Sequence, residues 1–196
     1  AELHFVGCNT MVWRTAARIY GSQTEGSFDG CTLASGFFNE SDKSVYHAIL
    51  DIRGGIVTIN GGSLVNSMLS NDFTNAVGFD VRPALSTQYN NPYPVVAIDT
   101  AHIELTTPML NVAHGGRGGG DSAISNVSIQ NCKGWMGMLP SEALIRIWDT
   151  SYVGKLSIGS SNNFYTSLNR TGKNIICDAP NAVLDVSAMA FGEQMQ

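Results

Sequence analysis

Residues 50–64 read LDIRGGIVTINGGSL. Two short strand-like pieces flank a Gly-Gly turn. Leu50 and Ile52 alternate with Asp51 and Arg53. After Gly54 and Gly55, Val57 and Ile59 alternate with Thr58 and Asn60, and Gly61 and Gly62 end the second piece. Alternation at period two sends the aliphatic side chains to one face and the polar ones to the other. Glycine takes the turn conformations that a residue with Cβ resists. A couplet of this kind that recurs along the chain makes the chain a coil of such units.

The couplet does recur. Residues 27–38, SFDGCTLASGFF, set Cys31 and Leu33 at inward positions. Residues 78–84, GFDVRPA, repeat the order apolar, Asp, aliphatic, Arg, turn. Residues 95–110, VVAIDTAHIELTTPML, supply the inward pairs Val96/Ile98 and Ile103/Leu105. Residues 124–134 supply Val127 and Ile129, and residues 145–163 supply Ile145/Ile147 and Leu156/Ile158. Residues 175–188 offer Val183 with Leu184 or Val186. Cys31, Val57, Ile103, Val127, Leu156 and Val183, taken as landmarks, mark units of roughly 20–30 residues. The wide step from Val57 to Ile103 counts as two units, with FDVRP marking the one between. Residues 15–20 read as a helical turn and residues 86–94 as a long loop.

Short-strand units of this length mean a solenoid. The fixed leucine-rich pattern is missing, and a propeller blade needs about 40 residues or more. The expected fold is all-β, a parallel β-helix of about seven rungs that stack to roughly 35 Å. A β-sandwich is the alternative, because short strands with frequent turns describe one too. Residues 1–196 read as a single domain taken from a longer chain.

Composition narrows the partners. The chain is 43% hydrophobic and 14% charged with 21 glycines, enough apolar residue for a core and many turns. Net charge is −5 with no basic cluster, which argues against nucleic acid and does not oppose a hydroxyl-rich polysaccharide. No apolar run approaches bilayer length, so no membrane insertion is expected. Residues 1–10, AELHFVGCNT, have neither the basic start nor the long apolar stretch of a signal peptide. Cys8, Cys31, Cys132 and Cys177 form no CxxC pair, so structural zinc is not expected, and free thiols are favoured over disulfides. Four scattered histidines offer no transition-metal site, and no cofactor or metal is expected. The sequon matches at Asn39, Asn126 and Asn169 carry no weight in a chain this rich in Asn and Ser.

The chemistry, if any, falls on the outward positions. Asp51 and Arg53, Asp80 and Arg82, Asp99, then Arg146 and Trp148 would share one face of a parallel stack. Glycoside cleavage needs two carboxyl groups about 5–5.5 Å or 6.5–9.5 Å apart, a spacing that neighbouring strands supply unaided. Asp80 and Asp99 are the first candidates for a catalytic pair, with Glu104 next. Asp51, Arg53, Arg82, Arg146 and Trp148 are the candidate substrate-binding residues, Trp148 as a platform for a sugar ring. The plainer reading of the same strip is a ladder of surface Asp–Arg pairs worth about 0–1 kcal/mol each. Trp135, with Met136 and Met138, reads as a patch packed on another subunit or a lateral helix. His114, Arg117 and Asp121 fall in a glycine-rich loop, residues 114–122, without the GKS or GKT of a phosphate loop.

The irregular repeats, low charge, Asn/Gly/Ser-rich turns and absent signal peptide resemble the right-handed β-helix of bacteriophage tailspikes and tail-fibre proteins. More broadly they resemble the pectate-lyase-like polysaccharide enzymes. The resemblance spans residues 27–188 and rests on repeat style, since no family catalytic motif maps onto this chain residue by residue. It implies a right-handed coil and an extracellular homotrimer on a virion tail. Such a trimer binds, and in some members cleaves, bacterial surface polysaccharide. A free-standing polysaccharide lyase or hydrolase and a purely structural trimerisation stem stay open beside it.

Overall fold

The computed structural model describes residues 1–12, 15–19, 24–35, 47–66, 76–81, 94–112, 124–136, 143–147, 153–166, 173–187 and 190–193. Its regular structure is strand throughout, with no α-helix among the described residues. In chain order the strands are β1 (Glu2–Val6), β2 (Asn9–Val12), β3 (Thr15–Ile19), β4 (Glu25–Asp29), β5 (Thr32–Ser35), β6 (His47–Ile52) and β7 (Ile56–Asn60). Next come β8 (Ser63–Asn66), β9 (Ala76–Val81), β10 (Val95–Asp99), β11 (His102–Leu105), β12 (Leu110–Val112), β13 (Ile124–Gln130) and β14 (Lys133–Met136). The last are β15 (Ile145–Ile147), β16 (Val153–Ile158), β17 (Asn163–Thr166), β18 (Ile175–Cys177), β19 (Val183–Val186) and β20 (Phe191–Glu193).

Each strand pairs in parallel with the strand three places on. The result is a first sheet in the order β1-β4-β7-β10-β13-β16-β19 and a second in the order β2-β5-β8-β11-β14-β17-β20. A six-stranded third sheet runs β18-β15-β12-β9-β6-β3. The chain visits first, second and third sheet in turn, which is consistent with a parallel β-helix solenoid. All-parallel sheets with one face turned inward explain the period-two pattern found around residues 50–64.

Register turns that pattern into columns. Val57, Val96, Val127 and Leu156 are successive partners in the first sheet, with Ile59, Ile98, Ile129 and Ile158 beside them. Leu50 pairs with Phe79 and Ile52 with Val81 in the third sheet, where Leu110 and Ile145 continue the line. All of these side chains are buried in one continuous core. Each contributes about 1.5–3 kcal/mol on leaving water. The likeness of LDI to FDV is thus a register match between neighbouring strands.

Three readings of the sequence need correction. Residues 15–19 are strand β3, paired with β6, so sheet pairing overrides the helical propensity of TAARI. Phe79–Val81 marks no skipped unit, because Val57 and Val96 are direct partners and β9 is the third-sheet strand between them. Ile103 lies in the second sheet, and Val183 pairs with outward Lys155 and is exposed.

The corner between first and second sheets is built the same way at five places. Gly7, Gly30, Gly61, Thr100 and Asn131 all have positive φ, between 53° and 67°. Their left-handed conformation bends the strand so that the next residue, such as Cys31, Ala101 or Cys132, points into the core. The backbone ladder continues through the bend: Gly30 N donates to Asn60 O and Gly61 N to Asp99 O, both at 2.8 Å. One corner, Gly159 to Asn162, is a residue longer than its neighbour, Gln130 to Cys132. The Asn162 side chain repairs the ladder there, accepting from Cys132 N at 2.8 Å and donating to Ile129 O at 2.7 Å. The four cysteines are free thiols. Burial raises the Cys132 thiol to about 11, which removes it as a nucleophile.

Candidate functional site

The outer face of the third sheet gathers four of the residues singled out from sequence. Arg18, Asp51, Asp80, Asn111 and Arg146 are successive register partners on β3, β6, β9, β12 and β15. Asp51, Asn111 and Arg146 are each flanked by two core aliphatics, so their own side chains point outward. Asp51, Arg53, Asp80 and Arg146 therefore stand on one sheet, as their spacing predicts. Arg82 and Trp148 lie outside the described residues, as do His114, Arg117 and Asp121.

Asp51 is the best defined member. Despite its outward position it is only 3% exposed. Arg53 Nε donates to Asp51 Oδ1 at 2.9 Å and Arg53 Nη2 to Oδ2 at 3.1 Å, a bidentate clasp. Arg18 Nε stands 3.6 Å from Oδ2. A carboxylate so enclosed is not the exposed surface pair of the plainer sequence reading. Farther along the column, Asn111 is buried, and Arg146 Nη2 donates to Asp178 Oδ2 at 3.2 Å. With Asp51 and Asn111 buried, the described part of the strip presents outward the guanidinium groups of Arg18 and Arg146, which donate hydrogen bonds and accept none.

The other two carboxylates leave this face. Asp99 ends β10 in the first sheet, in a column with Asp29, Asn60 and Gln130. Its carboxyl is held below the ordinary value by hydrogen bonds from Asn131 Nδ2 at 2.8 Å and Thr100 Oγ1 at 2.9 Å. A carboxyl tuned in that direction stays ionised and is unsuited to act as a general acid. Glu104 belongs to the second sheet, where His102 Nε2 meets its Oε1 at 2.8 Å. Asp80, Asp99 and Glu104 therefore stand on three different sheets, and the shared strip that would have joined Asp80 to Asp99 is not formed. The two carboxylates left as neighbours on one sheet are Asp51 and Asp80, and Asp51 is already clasped.

No protein-family model, curated protein or solved structure matches this chain. Its chemistry rests on its own geometry.

Two further constellations were not legible as sites in the sequence. His4 Nδ1 lies 2.7 Å from Ser27 Oγ and His4 Nε2 lies 2.9 Å from Glu2 Oε1. That resembles a nucleophile, base and acid in series. However, β4 is paired on both sides, so the backbone N–H groups around Ser27 are consumed and none is aimed at a developing oxyanion. The second is on the second sheet, where Trp135 and Tyr165 are register partners, 41% and 39% exposed. Their signal was present in KGWM and NFYT, where each aromatic alternates with an inward residue. Sequence alone did not reveal that the two strands are adjacent.

Proposed function

We propose that this chain is a tailspike-like virion domain that binds bacterial surface polysaccharide, its sheets wound as a right-handed β-helix of about seven rungs and its working form a homotrimer. The observation that carries the reading is the in-register column Arg18, Asp51, Asp80, Asn111, Arg146 on the outer face of the third sheet. Strands repeat every 4.8 Å or so along the stack, which sets the exposed guanidinium groups of Arg18 and Arg146, four steps apart, about 19 Å from one another on one face. A polysaccharide is itself a linear repeat of hydroxyls, and it can lie along that line with its oxygens accepting from both guanidinium groups. The net charge of −5 leaves nucleic acid disfavoured. The dispersal of Asp80, Asp99 and Glu104 over three sheets favours binding over cleavage, since a glycosidase needs its two carboxyls across one bond.

The test has two parts. Light scattering measures the mass in solution, and titration calorimetry against purified capsular and lipopolysaccharide glycans measures binding. A trimer that binds one such glycan, weakened at least tenfold by Arg146→Ala, is the expected result. A monomer that binds no glycan of the panel refutes the proposal. Depolymerisation abolished by Asp80→Asn would replace binding with cleavage.

A further inference from the structure

We infer that the outer face of the second sheet around Trp135 is a subsite for an acidic sugar, one that carries a carboxylate on its ring. The inference rests on the glycan-binding reading and assigns it a second surface. Strands β11, β14 and β17 are in register, so their outward residues form a grid. His102, Lys133 and Asn163 make one column, and Glu104, Trp135 and Tyr165 make the other. Neighbours lie about 4.8 Å apart across the strands and about 6.6 Å apart along them. The grid is thus about 10 Å by 7 Å, the footprint of a sugar ring with its substituents.

The chemistry of the six residues is specific. Trp135 and Tyr165 expose broad aromatic surface, which suits the C–H face of a pyranose. Lys133 is exposed and has no acidic partner among the described residues, whereas Arg53, Arg146 and Lys155 each have one. An ammonium with no acidic partner among the described residues, two residues from an exposed indole on the same face, complements a ring that carries a carboxylate. Asn163 Nδ2 donates to the Tyr165 hydroxyl at 2.6 Å, which fixes the phenol and leaves its proton for a ligand oxygen. Glu104 is already engaged by His102 at 2.8 Å, so its charge is partly answered within the grid. An apolar peptide would cover the aromatics but strand Lys133 and Glu104 away from water at a cost. A neutral sugar would leave Lys133 unused.

The probe is one acidic capsular polysaccharide that the protein binds, compared before and after chemical reduction of its carboxyl groups to alcohols. The expected result is at least tenfold weaker binding to the reduced form. Lys133→Gln should weaken binding to the acidic form at least tenfold and leave the reduced form unchanged. Trp135→Ala should weaken both, with circular dichroism and melting temperature retained. Equal affinity for the two forms, or full binding by Trp135→Ala, overturns the subsite while the glycan-binding reading survives. A change of oligomeric state in Trp135→Ala overturns it as well, because a second copy of the chain then covers this face. If the wild-type protein binds no surface polysaccharide at all, the reading beneath it fails first.

Discussion

Arg53 carries the sharpest energetic prediction. Its guanidinium clasps Asp51 through two bonds, and the Asp51 side chain is only 4% exposed. Arg53→Met keeps most of the aliphatic stem and removes the charge. Among the described residues Asp51 then keeps Arg18 as its ion-pair partner, 3.6 Å away and itself 56% exposed. Breaking a buried pair by removing one partner costs about 3–5 kcal/mol. The remaining Arg18 offsets part of that, so the lower end, about 3 kcal/mol, is expected. In a chain of this length it lowers the melting temperature by roughly 6–12 °C. Arg18→Met, which removes an exposed partner beyond hydrogen-bond distance, costs about 0–1 kcal/mol. The double variant Asp51→Leu/Arg53→Met leaves no buried charge and recovers most of the loss. Thermal and urea unfolding followed by circular dichroism measure all four proteins. A single Arg53 variant within about 1 kcal/mol of wild type, or a double variant no better than the single, refutes the argument that Asp51 is a buried charge dependent on its clasp.

Two other expectations follow from the corner between the first and second sheets. Gly62 has φ +76°, and a Cβ there would stand 2.0 Å from the carbonyl oxygen of Cys31. Gly62→Ala therefore adds left-handed strain and a clash with backbone that cannot swing aside, about 2–5 kcal/mol together. Urea unfolding that shows less than about 1 kcal/mol would place the corner's tightness in doubt. Asp99 is hydrogen-bonded as a carboxylate, with its folded pKa depressed from 3.8. Its stabilising contribution is complete above the unfolded value and is lost as pH falls through the folded one. The melting temperature of the wild type should fall more steeply than that of Asp99→Asn as pH drops below the ordinary carboxylate value, and parallel curves would contradict this.

The sequence made the inward residues plain because burial in a sheet writes period two directly into the chain. Val57/Ile59, Val96/Ile98, Ile103/Leu105, Ile145/Ile147 and Leu156/Ile158 are all buried. What alternation does not carry is the identity of the sheet. In residues 50–64 the couplet passes from third sheet to first, whereas in residues 95–105 it passes from first to second. The two look alike because each is aliphatic alternation broken by a turn. That ambiguity set Asp99 beside Asp80 in the strip, although their strands belong to different sheets. It also kept Trp135 and Tyr165 apart, since only register brings residues one circuit distant side by side. The burial of Asp51 was equally invisible: a lone Asp between two aliphatics reads as a surface residue.

The corner between first and second sheets has a bearing on how such a chain can change over generations. Where a left-handed residue holds it, that bend takes two residues, and the four-residue version at Gly159–Asn162 uses a dedicated asparagine, Asn162, to mend the backbone bonds. Elsewhere the path is lenient. Between third and first sheets the chain takes three residues from Ile52 to Ile56 and thirteen from Val81 to Val95, yet Val57 and Val96 stay aligned. Doubling such a connection costs only about 0.6 kcal/mol in closure entropy. Insertions and deletions should accumulate at two edges of the prism and be purged at the third. A foreign epitope grafted after Asn66 should be carried without loss of fold, while a single residue added at Gly61 should not.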